Sequence, residues 1–197
     1  MLPLTLLDLY RFVWISGRYG GGKTLLSVAF ADALLRSGRV SRIFSNFPFK
    51  LSSPLPSSPD DIRDSCVIFD EAWLYFDSRS RNWSFVSAVL AYLRKRNVYL
   101  LLPSVFPLDK RLRQVCAQRV AAFSRLLPGL PWLYSFSVGW GVYSDRHFFL
   151  LFPSRYFSLY DHLAIPSYED GERLIYLLGQ GISSLPEKGE LVEVDGD

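Results

Sequence analysis

Eight consecutive residues constrain this chain more than any other stretch: Gly17-Arg18-Tyr19-Gly20-Gly21-Gly22-Lys23-Thr24. They fit the spacing G-x-x-x-x-G-K-[ST], a pattern whose meaning depends on what surrounds it. Residues 11–16 (RFVWIS) form an apolar run that reads as a buried strand. Residues 23–36 carry Leu25, Val28, Ala29, Ala33 and Leu34 at helical spacing and stop at Ser37-Gly38, a C-cap signal. The loop therefore joins a strand to a helix. Its glycines let the backbone curl so that consecutive N–H groups point inward at phosphate oxygens, and the helix N-terminus adds a field that favours negative charge. In that setting Lys23 reaches the β- and γ-phosphates of a nucleoside triphosphate such as ATP, and the Thr24 hydroxyl is a ligand for Mg²⁺. The candidate nucleotide contacts are Gly17, Arg18, Tyr19, Gly20, Gly21, Gly22, Lys23, Thr24 and Leu25.

A second motif completes this chemistry. Residues 66–69 (CVIF) are an apolar strand that ends in Asp70-Glu71, 46 residues past Thr24. A carboxylate at the end of a buried parallel strand comes to lie beside the phosphate loop, where Asp70 can hold Mg²⁺ or its water. Glu71 is suited to polarise an attacking water, which favours hydrolysis over transfer to a small acceptor.

Strand and helix patterns alternate through residue 116. Residues 39–45, 65–69 and 98–102 read as further strands, 52–58 as a Ser/Pro loop, and 84–96 as a helix. The fold class expected is α/β: a P-loop NTPase with a parallel-core sheet flanked by helices. Beyond it, residues 117–166 read as a β-rich C-terminal extension of the sheet, interrupted by Pro128, Gly129, Pro131 and the Gly139–Gly141 region. Residues 168–178 read as a final helix. The expected organisation is one domain over 1–182 (core 1–116, annex 117–166, final helix 167–182) and an acidic flexible tail over 183–197.

Composition narrows the partners. An apolar fraction of 49% excludes a disordered chain, and no apolar run approaches the roughly 20 residues of a spanning helix. No signal-peptide pattern opens the sequence. Cys66 and Cys116 sit in apolar stretches without metal-ligand spacing and read as reduced core thiols. Net charge is +3, but the tail carries Glu187, Glu190, Glu193, Asp195 and Asp197 against Lys188 alone, so the rest of the chain is at +7. A basic body with an acidic tail is compatible with a nucleic-acid partner. Basic side chains cluster at Arg79 and Arg81, at Arg94-Lys95-Arg96 and at Lys110-Arg111-Leu112-Arg113. Those at 94–96 read equally as solvated helix-end cations or as functional groups. Arg111 and Arg113 read as DNA contacts or as an arginine finger offered to a neighbouring subunit. His147 and His162 read as structural, and the Trp and Tyr residues as core and rim.

Taken in order, GRYGGGKT, SRIFSNFPF, VIFDEAWLYFDSRSRN, LRKRNVYLLLPSVFPLDKRLR and YFSLYDH resemble the FtsK/HerA-type translocase ATPases over about residues 12–162. The resemblance is nearest to the genome-packaging ATPases of tailless, membrane-containing double-stranded DNA viruses. The zonular occludens toxin-like assembly ATPases of filamentous phages are more distant. It implies a homo-oligomeric ring, expected to be a hexamer, that hydrolyses ATP at subunit interfaces and moves double-stranded DNA. The implied partners are DNA and a capsid or membrane-vertex protein, and the implied location is the host cytoplasm or the virion vertex. It also implies a trans-acting arginine, for which Arg79, Arg94, Arg111 and Arg113 are the candidates. Relatives often carry a Gln sensor at the end of the fourth strand. Here that strand runs Leu102-Pro103-Ser104-Val105, a departure that leaves Ser104 as the polar residue at the position.

Three other classes compete. A filamentous-phage extrusion ATPase is expected to continue into a spanning helix and a further domain. A small-molecule kinase needs an acceptor-site signature, which is lacking. A nucleotide-binding interaction protein with weak hydrolysis would accommodate the unusual Pro103-Ser104 strand end.

Overall fold

The computed structural model describes residues 11–76, 93–108, 112, 118–126, 133–140, 144–151, 154–161 and 163–183. Among these, the elements run β1 (Phe12–Ser16), α1 (Lys23–Arg36), β2 (Arg42–Ser45), a 3₁₀ turn (Pro59–Ile62), β3 (Ser65–Ile68) and a second 3₁₀ turn (Ala72–Leu74). There follow β4 (Tyr99–Ser104), β5 (Gln118–Leu126), β6 (Leu133–Trp140), β7 (Ser144–Leu151), α2 (Ser154–Phe157) and α3 (Tyr168–Ser183). One seven-stranded sheet has the order β2-β3-β4-β1-β5-β6-β7. From β2 to β5 each neighbouring pair is parallel, and β5, β6 and β7 pair antiparallel. This is the α/β parallel core with a β-rich extension that the sequence implies.

The apolar strands bury both faces, as a parallel sheet under helices must. Side chains alternate across β1. Val13 and Ile15 join one core with Leu25, Val28, Ala29 and Leu34 of α1, whereas Phe12 and Trp14 join a second core with Leu174, Leu177 and Leu178 of α3. The sheet is thus the middle layer, with α1 on one face and α3 on the other.

After β7 the chain returns to the α1 face. Tyr156 is buried in the α1-side core, and Arg155 donates to the buried Asp32 of α1 at 3.3 Å. Lys50 N–H donates to Leu159 O at 2.7 Å, and Ser167 N–H to Asn46 O at 2.6 Å. These contacts tie Arg155, Tyr156, Leu159 and Ser167 to α1 and to the chain just after β2.

Several sequence readings fall outside the described residues: Arg79, Arg81, Arg111, Arg113, Cys116 and His162, most of the helix expected over 84–96, the turn prolines Pro128 and Pro131, and the acidic tail from 184 onward. Cys66 is free and buried in β3, where loss of solvation pushes its thiol pKa upward. No described helix is long and apolar enough to cross a membrane.

Candidate nucleotide site

The loop between β1 and α1 lies at the C-terminal edge of the parallel strands. Gly20 and Gly22 adopt φ of 67° and 77°, left-handed conformations that a side chain disfavours. Gly21 N–H donates to Arg18 O at 3.0 Å and closes the turn. Gly22 is the N-cap of α1 and supplies no side-chain cap, and the first turn holds no acid. The opening amides of α1 therefore face the loop cavity uncapped by side chains, the arrangement that binds anions.

Lys23 is buried to 7% exposure, with its ammonium donating to Arg18 O at 3.0 Å and lying 5.9 Å from the Tyr19 ring. Burial pushes its pKa below the ordinary lysine value, opposed by the charges of Glu71 and Asp70. A cation held in this way is partly desolvated and gains strongly from an arriving phosphate.

Across the site, Thr24 Oγ1 donates to the Asp70 carboxylate, at 3.0 Å to Oδ2 and 3.2 Å to Oδ1. β4 lies between β1 and β3, so this contact bridges an intervening strand. Burial, with the nearby Glu71 charge, raises the Asp70 pKa to about 6 despite the Thr24 hydrogen bond. A buried hydroxyl–carboxylate pair short of positive charge fits Mg²⁺. The described residues hold no cluster of three or more His, Cys, Asp or Glu that could bind a metal alone.

Glu71 has φ 51° and ψ 48°, an uncommon conformation for a residue with a side chain. Trp73 Nε1 donates to Glu71 Oε2 at 2.8 Å, which fixes the carboxylate. The Trp73 ring in turn meets Phe106 edge-on at 5.0 Å.

Asn46, just past β2, was not singled out from the sequence. It is fully buried, accepts from Asp70 N–H at 2.7 Å and donates to Asp70 O at 2.9 Å. Its Nδ2 also donates to Tyr75 Oη at 3.1 Å, and Tyr75 Oη donates to Ser167 O at 3.1 Å. Gly171 is what admits this tyrosine: a Cβ there would come within 2.3 Å of the Tyr75 ring. An asparagine following an apolar strand was the only signal available, and that signal is common.

Ser104 ends β4, in register with Ser16 of β1, but it is buried and its hydroxyl donates to Phe106 O at 2.6 Å. Its polar atom serves its own turn. Arg94 is exposed and precedes the start of β4, at the sheet edge opposite the phosphate loop. Six strand residues separate the two edges, roughly 20 Å. Arg94 is therefore remote from the site of its own chain.

The loop opens onto a cleft of about 660 Å³. Tyr19 to Leu25, Asp70 and Glu71 line one part, and Phe157, Tyr160, Ala164 and Pro166 line the rest.

No protein-family model matches the chain, and no curated protein matches its sequence. Solved structures do resemble it. The N-terminal domain of zonular occludens toxin from Neisseria meningitidis matches with a TM-score of 0.53 and 17% identity, over 76% of this chain and 98% of that domain. The genome packaging NTPase B204 from Sulfolobus turreted icosahedral virus 2, in complex with ATP-gammaS, matches with a TM-score of 0.50 and 13% identity, over 69% of this chain and 95% of that one. With a phosphate loop between β1 and α1 and an acidic pair after β3, the chain has the α/β fold of the P-loop NTPases and is similar in fold to both of these proteins.

Proposed function

We propose that this protein is a Mg²⁺-dependent nucleoside triphosphatase that uses ATP to drive double-stranded DNA into a viral capsid. The observation that carries the hydrolytic reading is the Thr24–Asp70 contact at 3.0 Å beneath the glycine loop, with Glu71 next in the chain. Lys23 and the loop amides neutralise phosphate charge. Thr24 and Asp70 hold the cation, which supplies charge neutralisation at the phosphates when bound. Glu71, aimed by Trp73, orients the attacking water. Such catalysis is positioning and electrostatics more than covalent chemistry.

The DNA part rests on the basic body of the chain, on the LDKRLR and DEA-x-x-x-F-D-S-R motifs, and on the likeness of fold to a packaging NTPase. The reading includes a ring, taken as a hexamer, a trans-acting arginine from the neighbour, a capsid or membrane-vertex partner, and a place in the host cytoplasm or at the virion vertex. The test is ATP hydrolysis by the full chain across protein concentration, with and without long double-stranded DNA. Stimulation that rises cooperatively with concentration supports the motor. Hydrolysis indifferent to both removes the DNA role.

A second reading, an extrusion ATPase of the filamentous-phage type, is favoured by the likeness to the zonular occludens toxin domain, 98% of which is covered. Stimulation by single-stranded rather than double-stranded DNA would select it.

A further inference from the structure

We infer that Phe157, Tyr160, Ala164 and Pro166 form the nucleoside subsite of the cleft, and that they hold the base by apolar contact without reading its edge. This rests on the phosphate-site reading above and extends it to the other end of the ligand. On that reading the phosphates lie in the part of the cleft lined by Gly20 to Thr24, Asp70 and Glu71. A nucleoside triphosphate must also seat its nucleoside, and the remaining lining is Phe157, Tyr160, Ala164 and Pro166.

The wall is built and held. Its neighbours in the chain are the anchors: Tyr156 is buried in the core, Arg155 pairs with Asp32 of α1, and Leu159 accepts from the Lys50 amide. Tyr160 packs edge-on against Phe47 at 6.3 Å and pairs with Phe49 in an isolated antiparallel bridge. Phe157, by contrast, is 46% exposed although large and aromatic. An anchored helix that leaves one phenyl ring on a cleft rim presents a face on which a planar ring can stack.

The chemistry of the wall sets its selectivity. Among the described side chains that line the cleft outside the phosphate part, the Tyr160 hydroxyl is the one hydrogen-bonding group. Sites that hydrogen-bond a substrate group reject analogues by about 10⁴-fold or more, whereas apolar pockets discriminate by about 10- to 200-fold. Adenine and guanine offer nearly the same area to an apolar wall, so ATP and GTP bind alike. The aromatic ring expected to matter most comes from a segment that sequence reading placed with the β-rich annex.

The test is calorimetric titration of the full chain, in Mg²⁺ buffer, with ATP, GTP and inorganic tripolyphosphate. The proteins compared are the unaltered chain, Phe157→Ala, Phe157→Tyr and Lys23→Ala. In the unaltered chain ATP and GTP are expected to bind within about tenfold of each other. Phe157→Ala weakens both by roughly five- to a hundredfold, the range found for loss of an aromatic stacking partner, and leaves tripolyphosphate affinity unchanged. Phe157→Tyr restores nucleotide affinity, and Lys23→Ala weakens all three ligands. Unchanged nucleotide affinity in Phe157→Ala overturns the subsite. A preference for ATP over GTP beyond about a hundredfold overturns the tolerance for the base. Tripolyphosphate that fails to bind the unaltered chain overturns the phosphate site itself, and the subsite with it.

Discussion

Asn46 grips the backbone of Asp70 at both of its polar groups, accepting from the N–H at 2.7 Å and donating to the carbonyl at 2.9 Å. Asp70, which we assign to the metal, is thus held by a side chain from just past the neighbouring strand β2, not by β3 alone. Asn46→Ala leaves a buried N–H and C=O without these partners, and each such loss costs about 1–3 kcal/mol. The expected outcome is a loss of roughly 2–4 kcal/mol in urea unfolding. Hydrolysis at a temperature where the variant is still folded should also fall, because Asp70 is no longer fixed.

Asp70 is costly to the empty protein. Its pKa is raised from 3.8 to about 6, so folding disfavours the ionised form. The sign is opposite to that of a salt-bridged carboxylate: stability is lost as pH rises from about 4 to about 6 and is level above. Asp70→Asn is expected to stabilise the nucleotide-free protein by up to about 3 kcal/mol at pH 7. The gain over the unaltered chain should vanish near pH 4, and Mg²⁺-dependent hydrolysis should be lost. Thermal unfolding of both proteins across pH checks this. A variant less stable at pH 7 than the unaltered chain would contradict it.

Trp73 acts through Glu71, to which its indole donates at 2.8 Å. Trp73→Phe keeps a ring against Phe106 and removes the donor. A hydrogen bond to a charged group contributes about 1.5–3 kcal/mol. The expected result is a kcat lowered roughly tenfold or more with KM little changed, since only the orientation of the carboxylate is lost. A raised KM with unchanged kcat would assign Trp73 to substrate binding instead.

Arg111 and Arg113 lie outside the described residues, and their part in DNA contact rests on the sequence. If they touch phosphates, replacing both by Gln weakens DNA binding without regard to sequence and reduces the salt slope by about 2. Binding measured from low to moderate salt checks both effects. An unchanged slope would leave the trans-acting role as the reading for these residues.

The glycine loop and the acidic pair were legible in the sequence because their chemistry needs fixed residue types at fixed spacing. Left-handed Gly20 and Gly22, uncapped α1 and the bridge from Thr24 to Asp70 follow directly from that spacing. The parallel strands were legible as apolar runs, although β2 starts at Arg42, not at 39, because Gly38, at φ 71°, and Arg39, whose N–H returns to Leu34 O, close α1. Asn46 was not legible, since its task depends on the alignment of β2 beside β3, which no local pattern encodes. Nor was the return of Phe157 to the cleft, which is set by the buried Tyr156 and the Arg155–Asp32 pair, 123 residues apart in the chain. Ser104 stood at the right register for a sensor, but its hydroxyl is taken up by Phe106 O.

The most direct test of the nucleotide site is phosphate release under single-turnover conditions, with ATP binding measured on the same samples, for the unaltered chain, Lys23→Ala and Glu71→Gln. The account predicts that Lys23→Ala fails to bind MgATP. Glu71→Gln should bind it within a few-fold of the unaltered chain but release phosphate at least a hundredfold more slowly, the scale of a lost general-base contribution. Equal loss of binding in both variants, or undiminished phosphate release by Glu71→Gln, would contradict it.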